Sequence, residues 1–182
     1  MVAHRTNSEL LALVNLFYPA ADDLGSFEEV SPAEMPNMFR RLLAHDQHMT
    51  VTVEHFHRTP VNVKVLEVRH AGQFYSRRIL LTRQSDDGVV QFGIVRLNFE
   101  YLDPEVQRRI ESQSTPLGRI LIEHNVLREI ELVALWRVNP GPDLCQLFGL
   151  SVPEITYGRT AIIHCNGSPA VELLEIVTPM SV

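Results

Sequence analysis

The sequence predicts an α+β domain built on a single, mainly antiparallel sheet with helices packed on it. Three observations predict it. Apolar residues recur with a period of two through most of the chain beyond residue 50. Short turns rich in Asp, Asn and Gly separate several of these runs, and turns of that kind connect antiparallel neighbours. Two proline-led helix starts fall together between one pair of runs, so helices interrupt the sheet instead of alternating with every strand.

In chain order, Leu10, Leu11, Val14 and Phe17 repeat at helical spacing behind Ser8, which predicts an amphipathic helix over about 8–18, closed by Pro19, that covers a sheet. An acidic, loop-like stretch follows. Ser31, Pro32 and Glu34 make a helix start that Pro36 resets, and Met38, Phe39, Leu42 and Leu43 form the next apolar stripe. From Thr50 the period changes to two. Val51, Val53 and His55 alternate with Thr52, Glu54 and Phe56, and Val61, Val63 and Val65 repeat the pattern, so strands are expected from here on. Further β-rich runs cover 74–82, 89–98, 127–138, 155–165 and 170–178. Asp86, Asp87 and Gly88 suit one hairpin, and Asn166 with Gly167 another, because both need residues that tolerate a positive φ. Asp103 before Pro104 and Thr115 before Pro116 each pair an N-cap with a first-turn proline, and a third short helix is expected over about 142–148.

At 182 residues the chain is read as one domain, 1–182, in which residues 1–40 are a covering helix and loop. With 45% apolar and 21% charged residues it has the composition of a globular protein, so disorder is excluded. Sixteen Lys and Arg against 22 Asp and Glu leave a net charge of −6, which repels a phosphate backbone, and no nucleic-acid partner is expected. Cys145 and Cys165 are too few for a disulfide framework, so a reducing, cytoplasmic address is expected. The longest apolar run, 10–21, is broken by Asn15 and is too short to span a membrane. Glu9 and Asn15 also spoil it as a secretion signal.

Among groups that carry chemistry, His45, His48, His55 and His57 crowd into thirteen positions. On a strand His55 and His57 would share a face, yet no third-ligand motif or Cys pair accompanies them, and no metal site is expected. Neither a GxSxG step nor a Gly-rich phosphate loop is present, and Cys165 falls at a hairpin, as a buried or turn-proximal thiol. Charges embedded in apolar strands are more informative. Glu175 lies among Val171, Leu173 and Val177, Arg77 between Tyr75 and Ile79, and Arg159 beside Tyr157, Ala161 and Ile163, so three charged side chains can project into one enclosed space above a sheet. A buried structural ion pair accounts for the same pattern equally well, and Arg78 and Glu172 also have apolar neighbours on their own faces.

Four blocks, LLAHDQHMT at 42–50, YSRRILLT at 75–82, STPLGRILIEHNVLRE at 114–129 and YGRTAIIHCNGSPAVELLEIVTP at 157–179, resemble the chorismate lyase family in that family's order. That family eliminates pyruvate from chorismate to leave 4-hydroxybenzoate. The resemblance implies a six-stranded antiparallel sheet, a ligand enclosed beneath two helical flaps, and turnover without metal or organic cofactor. It places Arg77 on the arginine that holds the ring carboxylate and Glu175 on the carboxyl group near the ring hydroxyl. Met49 and Leu117 fall on the backbone and flap positions that close the site, with Gly118, Arg159 and Arg78 as further ligand contacts. The chain departs from the family in lacking a Gly-Arg-Thr step within 89–99 and in carrying Arg78 where an acid can follow the key arginine. The competing reading is a non-catalytic binder of aromatic carboxylates, since the same fold serves as an effector domain in bacterial repressors. Those usually carry a helix-turn-helix, for which this chain is expected to have no spare length.

Overall fold

The computed structural model describes residues 2–124 and 128–180, with side chains from residue 7 onward; Leu127, where the fifth β-rich run was expected to start, lies outside them. Seven strands form one sheet: β1 (Gly25–Val30), β2 (Val61–Ala71), β3 (Phe74–Arg83), β4 (Val89–Asn98), β5 (Arg128–Pro140), β6 (Thr156–Cys165) and β7 (Ser168–Val177). Their spatial order is β1-β5-β6-β7-β4-β3-β2, and every neighbouring pair is antiparallel. Two meanders, β2-β3-β4 and β5-β6-β7, therefore meet at the β4–β7 pairing. The expected turns hold: Asp87 sits at φ 58°, and Asn166 and Gly167 at 51° and 82° close the β6–β7 hairpin.

The α-helices among the described residues are α1 (Val2–Val14), α2 (Asn37–Leu43), α3 (Met49–His57), α4 (Pro104–Glu111), α5 (Leu117–Glu123) and α6 (Pro142–Phe148). On one face of the sheet, Leu10, Leu13 and Val14 of α1 and Leu144 of α6 pack on Phe92, Ile94, Trp136, Leu174 and Ile176. The other face carries α2 to α5 over two separate apolar clusters. In one, Val106 and Ile110 of α4 and Leu117, Ile120 and Leu121 of α5 lie on Val95, Ile163 and Leu173. In the other, Phe39, Leu42 and Leu43 of α2 and Met49 and Val53 of α3 lie on Ile79, Leu81 and Tyr157. Polar residues occupy the seam between them.

Three expectations are corrected. Residues 49–57 are helix, not strand: Met49, Thr50 and Val53 turn inward at spacings a helix can align, Val51 faces solvent, and Arg58 ends the helix in the left-handed conformation. An alternating run of β-branched residues this short is overridden by packing against α2, α5 and β2. His55 and His57 consequently do not share a face. The acidic stretch read as a loop contains β1, an edge strand whose mostly exposed positions hide the period, held by Phe27 set edge-on to Trp136 at 6.5 Å. Finally, Ser8 lies inside α1, and Pro116 rather than Thr115 is the cap residue of α5. Asp103 caps α4 as expected, accepting from the Glu105 amide at 2.9 Å.

Candidate functional site

The pleat puts every second residue of four central strands on the face beneath the flaps, and the register fixes who sits beside whom. Along one row, Arg77 of β3 is followed by Val95, Leu173 and Ala161; along the next, Ile79 is followed by Gly93, Glu175 and Arg159. Arg77 and Glu175 are thus diagonal neighbours across β4, and Gly93 leaves the floor between them open. Above this floor the first residues of α3 and α5 form a roof: His48, Met49 and Thr50 from one side, Pro116, Leu117 and Gly118 from the other. A Cβ on Gly118 would stand 3.1 Å from Thr50 Oγ1 and 3.2 Å from His48 Cβ, so glycine lets the two helices close on each other. The chamber between floor and roof has a volume of about 40 Å³, room for roughly three water molecules, inside about 530 Å³ of empty space counted out to the mouth.

The charges at the seam differ sharply in how they are satisfied. Arg159, 1% exposed, donates from Nε to Glu175 Oε2 at 2.7 Å, from Nη1 to the His45 carbonyl at 2.8 Å and from Nη2 to the Gln47 carbonyl at 3.0 Å. It therefore ties the pocket acid to the loop that leads into α3. Arg77 is equally buried, but its only hydrogen bond runs from Nη1 to the Ile110 carbonyl at 3.3 Å, its Nε has no partner, and no carboxylate pairs with it among the described residues. Burial pulls its pKa down, because nothing but nearby Tyr75 offsets the loss of water. The Tyr75 hydroxyl, on a ring stacked against Phe99, lies close enough to this guanidinium to favour its charge, but among the described residues it completes no hydrogen bond of good geometry.

Two more lining groups, His48 Nε2 and Gln91 Oε1, are buried without a hydrogen-bond partner among the described residues. Burial, and then the positive charges of Arg128 and Arg159, push the His48 imidazole down to about 4, so it is neutral in ordinary solution. Among the described residues no group of His, Cys, Asp and Glu converges in a way that would hold a metal ion. Burial pushes the Cys165 thiol up to about 11, as befits an unreactive side chain in a strand.

Of the residues singled out from sequence, Arg77, Glu175, Arg159, Met49, Leu117 and Gly118 all line this chamber. Arg78 does not. It follows Arg77 on a pleated strand and so points through the opposite face, where Nη1 meets Tyr18 and Asp143 at 3.0 and 3.1 Å and Nε meets Glu67 at 3.3 Å. Its place as a ligand contact is corrected to a brace joining β2 and β3 to the end of α1 and to α6. Sequence reasoning missed Gly93, Gln91, His48 and Thr50. The parity that selects Arg77 also selects Gln91 and Gly93 through the β3–β4 hairpin, whereas Thr50 was hidden by the strand reading that started there and His48 was weighed only as a metal ligand.

The described residues define an α+β class with one antiparallel sheet and a small chamber between the sheet and a roof made by two helix starts. No family model matches the chain, and no curated protein matches it. Among solved structures it is similar to the effector domain of PhnF from Mycobacterium smegmatis, with a TM-score of 0.53 and 10% identity over 72% of this chain and 88% of that one. It is also similar to PhnF from the same organism, with a TM-score of 0.52 and 9% identity over 95% and 94% of the two chains. The ligand-binding domain of a GntR-family transcriptional regulator from Bordetella bronchiseptica gives a TM-score of 0.48 at 15% identity over 67% and 92%. At these identities the likeness is one of fold. Among the described residues no helix is long and apolar enough to cross a membrane.

Proposed function

We propose that the chamber binds a small planar carboxylate through Arg77, and that the protein is a lyase that eliminates pyruvate from chorismate to leave 4-hydroxybenzoate. The single observation carrying this reading is the Arg77 guanidinium, fully buried at the chamber with no counter-charge of its own among the described residues. A buried cation without a partner is costly unless an anion joins it, and a planar guanidinium grips a carboxylate through two parallel hydrogen bonds. The ring carboxylate then lies at Arg77, and the opposite end of the ring points along the floor toward Glu175.

In the elimination a proton leaves C4, its C–H electrons form the C3–C4 π bond, and the C3–O bond breaks with its electron pair going to oxygen, which releases the enolate of pyruvate; the enolate takes a proton at carbon to become the keto acid. Aromatisation drives the step. Closing the flaps around the ligand removes water and fixes the ring above the floor. Glu175 is held from one side by Arg159 through Oε2; its Oε1 carries no hydrogen bond among the described residues and is the atom that meets the C4 hydroxyl or takes the C4 proton.

A second reading, a non-catalytic carboxylate-binding domain, is favoured by the ion pair between Arg159 and Glu175, because the carboxylate that the chemistry would use is already engaged by a buried guanidinium at 2.7 Å. Incubation with chorismate separates the two. The lyase reading expects pyruvate and 4-hydroxybenzoate in equal amounts, at a rate unchanged by EDTA, with Arg77→Ala weakening binding and turnover together by roughly 10- to 1,000-fold. Glu175→Gln lowers turnover far more than 4-hydroxybenzoate affinity if the carboxylate moves the proton, and leaves the rate within about twofold if it only orients the ring. Tight 4-hydroxybenzoate binding with no pyruvate formed would establish the second reading instead.

A further inference from the structure

Chorismate carries two carboxylates, and Arg77 accounts for one. Arg159, the other guanidinium on the floor, has all three nitrogens committed to Glu175 and to the His45 and Gln47 carbonyls. The single positive charge of Arg159 is thus already balanced by Glu175, and a second anionic group calls for a cation other than these two. Beside the chamber lies a cleft of about 480 Å³ that shares two wall residues with it, His48 and Ile130. Its apolar sides are Val51 of α3 and Ile122 of α5, both exposed, and Arg128 enters from the first residue of β5. Asp46 and Glu129 also border it, but both are exposed at the rim, and Glu129 alternates to the opposite face of β5 from Arg128 and Ile130.

We propose that this cleft is the second compartment of the site and receives the second carboxylate of a dicarboxylate ligand, with Arg128 as its cation and His48, at the shared wall, as a hydrogen-bond donor through Nε2. The inference rests on the chamber being a carboxylate site. Three observations support it. His48 Nε2 is buried with no partner at the boundary between the two spaces. Arg128 also donates from Nη1 to the Leu121 carbonyl at 3.4 Å, which holds it against the flap helix that roofs the chamber. Burial first, and then the positive charges of Arg128 and Arg159, oppose protonation of the His48 ring, so the imidazole stays neutral at the boundary with both arginines near it. A ligand spanning both spaces would place its ring under Met49 and Leu117 and its acidic arm past His48.

The test compares two stable probes by calorimetry on the full chain: 4-hydroxybenzoate, with one carboxylate, and 3-(carboxymethoxy)benzoate, whose ether arm carries a second. The expected result is that the dicarboxylate binds at least tenfold more tightly, and that this preference shrinks at least fivefold in Arg128→Gln and in His48→Gln while Arg128→Lys keeps most of it. Circular dichroism checks that each variant is folded, and either variant alone decides the matter. No preference in the native chain, or a preference untouched by both substitutions, overturns the second compartment. Arg77-dependent binding of 4-hydroxybenzoate in the same experiment leaves the chamber's own reading standing, and failure of both probes to bind overturns both.

Discussion

Replacing Arg77 by a side chain of similar length and no charge tests whether the buried guanidinium serves a ligand or the fold. With a single long hydrogen bond and no carboxylate among the described residues, its desolvation is offset only by nearby Tyr75. Arg77→Met should therefore leave the fold as stable or raise its stability by about 1–3 kcal/mol in urea unfolding, while 4-hydroxybenzoate binding disappears. A loss of several kcal/mol would assign Arg77 to the fold. His48 gives a test in pH. Its native pKa of about 4 lies below the ordinary 6.5, so the unfolded chain takes up the proton first, and the stability this residue supports is complete above about pH 6.5 and is lost as pH falls toward 4. The gap corresponds to at most about 3 kcal/mol, reduced by solvent near the mouth. Comparing urea unfolding at pH 7.5 and 4.5, His48→Gln should be less acid-sensitive than the parent by on the order of 2 kcal/mol, the carboxylates cancelling in the comparison.

Among the elements, α3 and α5 act as a pair because Gly118 permits backbone contact with the His48 and Thr50 side chains. The ion pair between Arg119 of α5 and Glu54 of α3 holds them laterally, and Glu54 also accepts from the Val61 amide at 3.0 Å, which fastens α3 to the start of β2. Gly118→Ala adds a methyl group where the neighbours already stand within 3.1 to 3.3 Å, so the helices must part by a few tenths of an ångström. The substitution itself favours helix by about 0.8–1 kcal/mol in isolation, which makes unfolding stability a poor reporter of the effect. Ligand release is the better one. Stopped-flow displacement of 4-hydroxybenzoate should show dissociation accelerated several-fold in Gly118→Ala, and an unchanged rate would mean that the flaps open elsewhere.

At the scale of the whole molecule, the chamber lies between two apolar clusters on one face of the sheet, roofed by helices drawn from separate parts of the chain. A ligand seated there bridges both clusters and joins α3 to α5, so binding and global stability are linked. With free 4-hydroxybenzoate at about 100 times its dissociation constant, mass action adds about 2.7 kcal/mol, which for a chain of this length raises the melting temperature by roughly 5–10 °C. Differential scanning calorimetry should show that rise in the native chain and its absence in Arg77→Ala. A rise of equal size in both would place the ligand outside the chamber.

Hairpin chemistry and strand parity are local properties of the chain. They were enough for the sequence to determine the β3-β4 and β6-β7 hairpins and the bounds of β4 and α6, and to single out Arg77, Arg159 and Glu175 as charges that can share one space. Parity also explains why Arg78 was ambiguous: each side of the sheet has an apolar layer, so a charge between apolar neighbours looks alike on both, and only the position of Tyr18 and Asp143 against Arg78 resolves it. Tertiary structure alone decided the state of 49–57, where intrinsic preference is weak and burial of Met49, Thr50 and Val53 selects the helix. It alone revealed β1, whose ladder bonds to β5 come from residues more than a hundred positions away and leave almost no pattern in an exposed edge. The pairing of β4 with β7 is likewise non-local, and it is this pairing that brings Arg77 from one meander and Glu175 from the other to the same floor. Which of the buried charges has a partner and which waits for one depends on distances of 2.7 to 3.3 Å across that joint, and such distances are set by packing rather than by order along the chain.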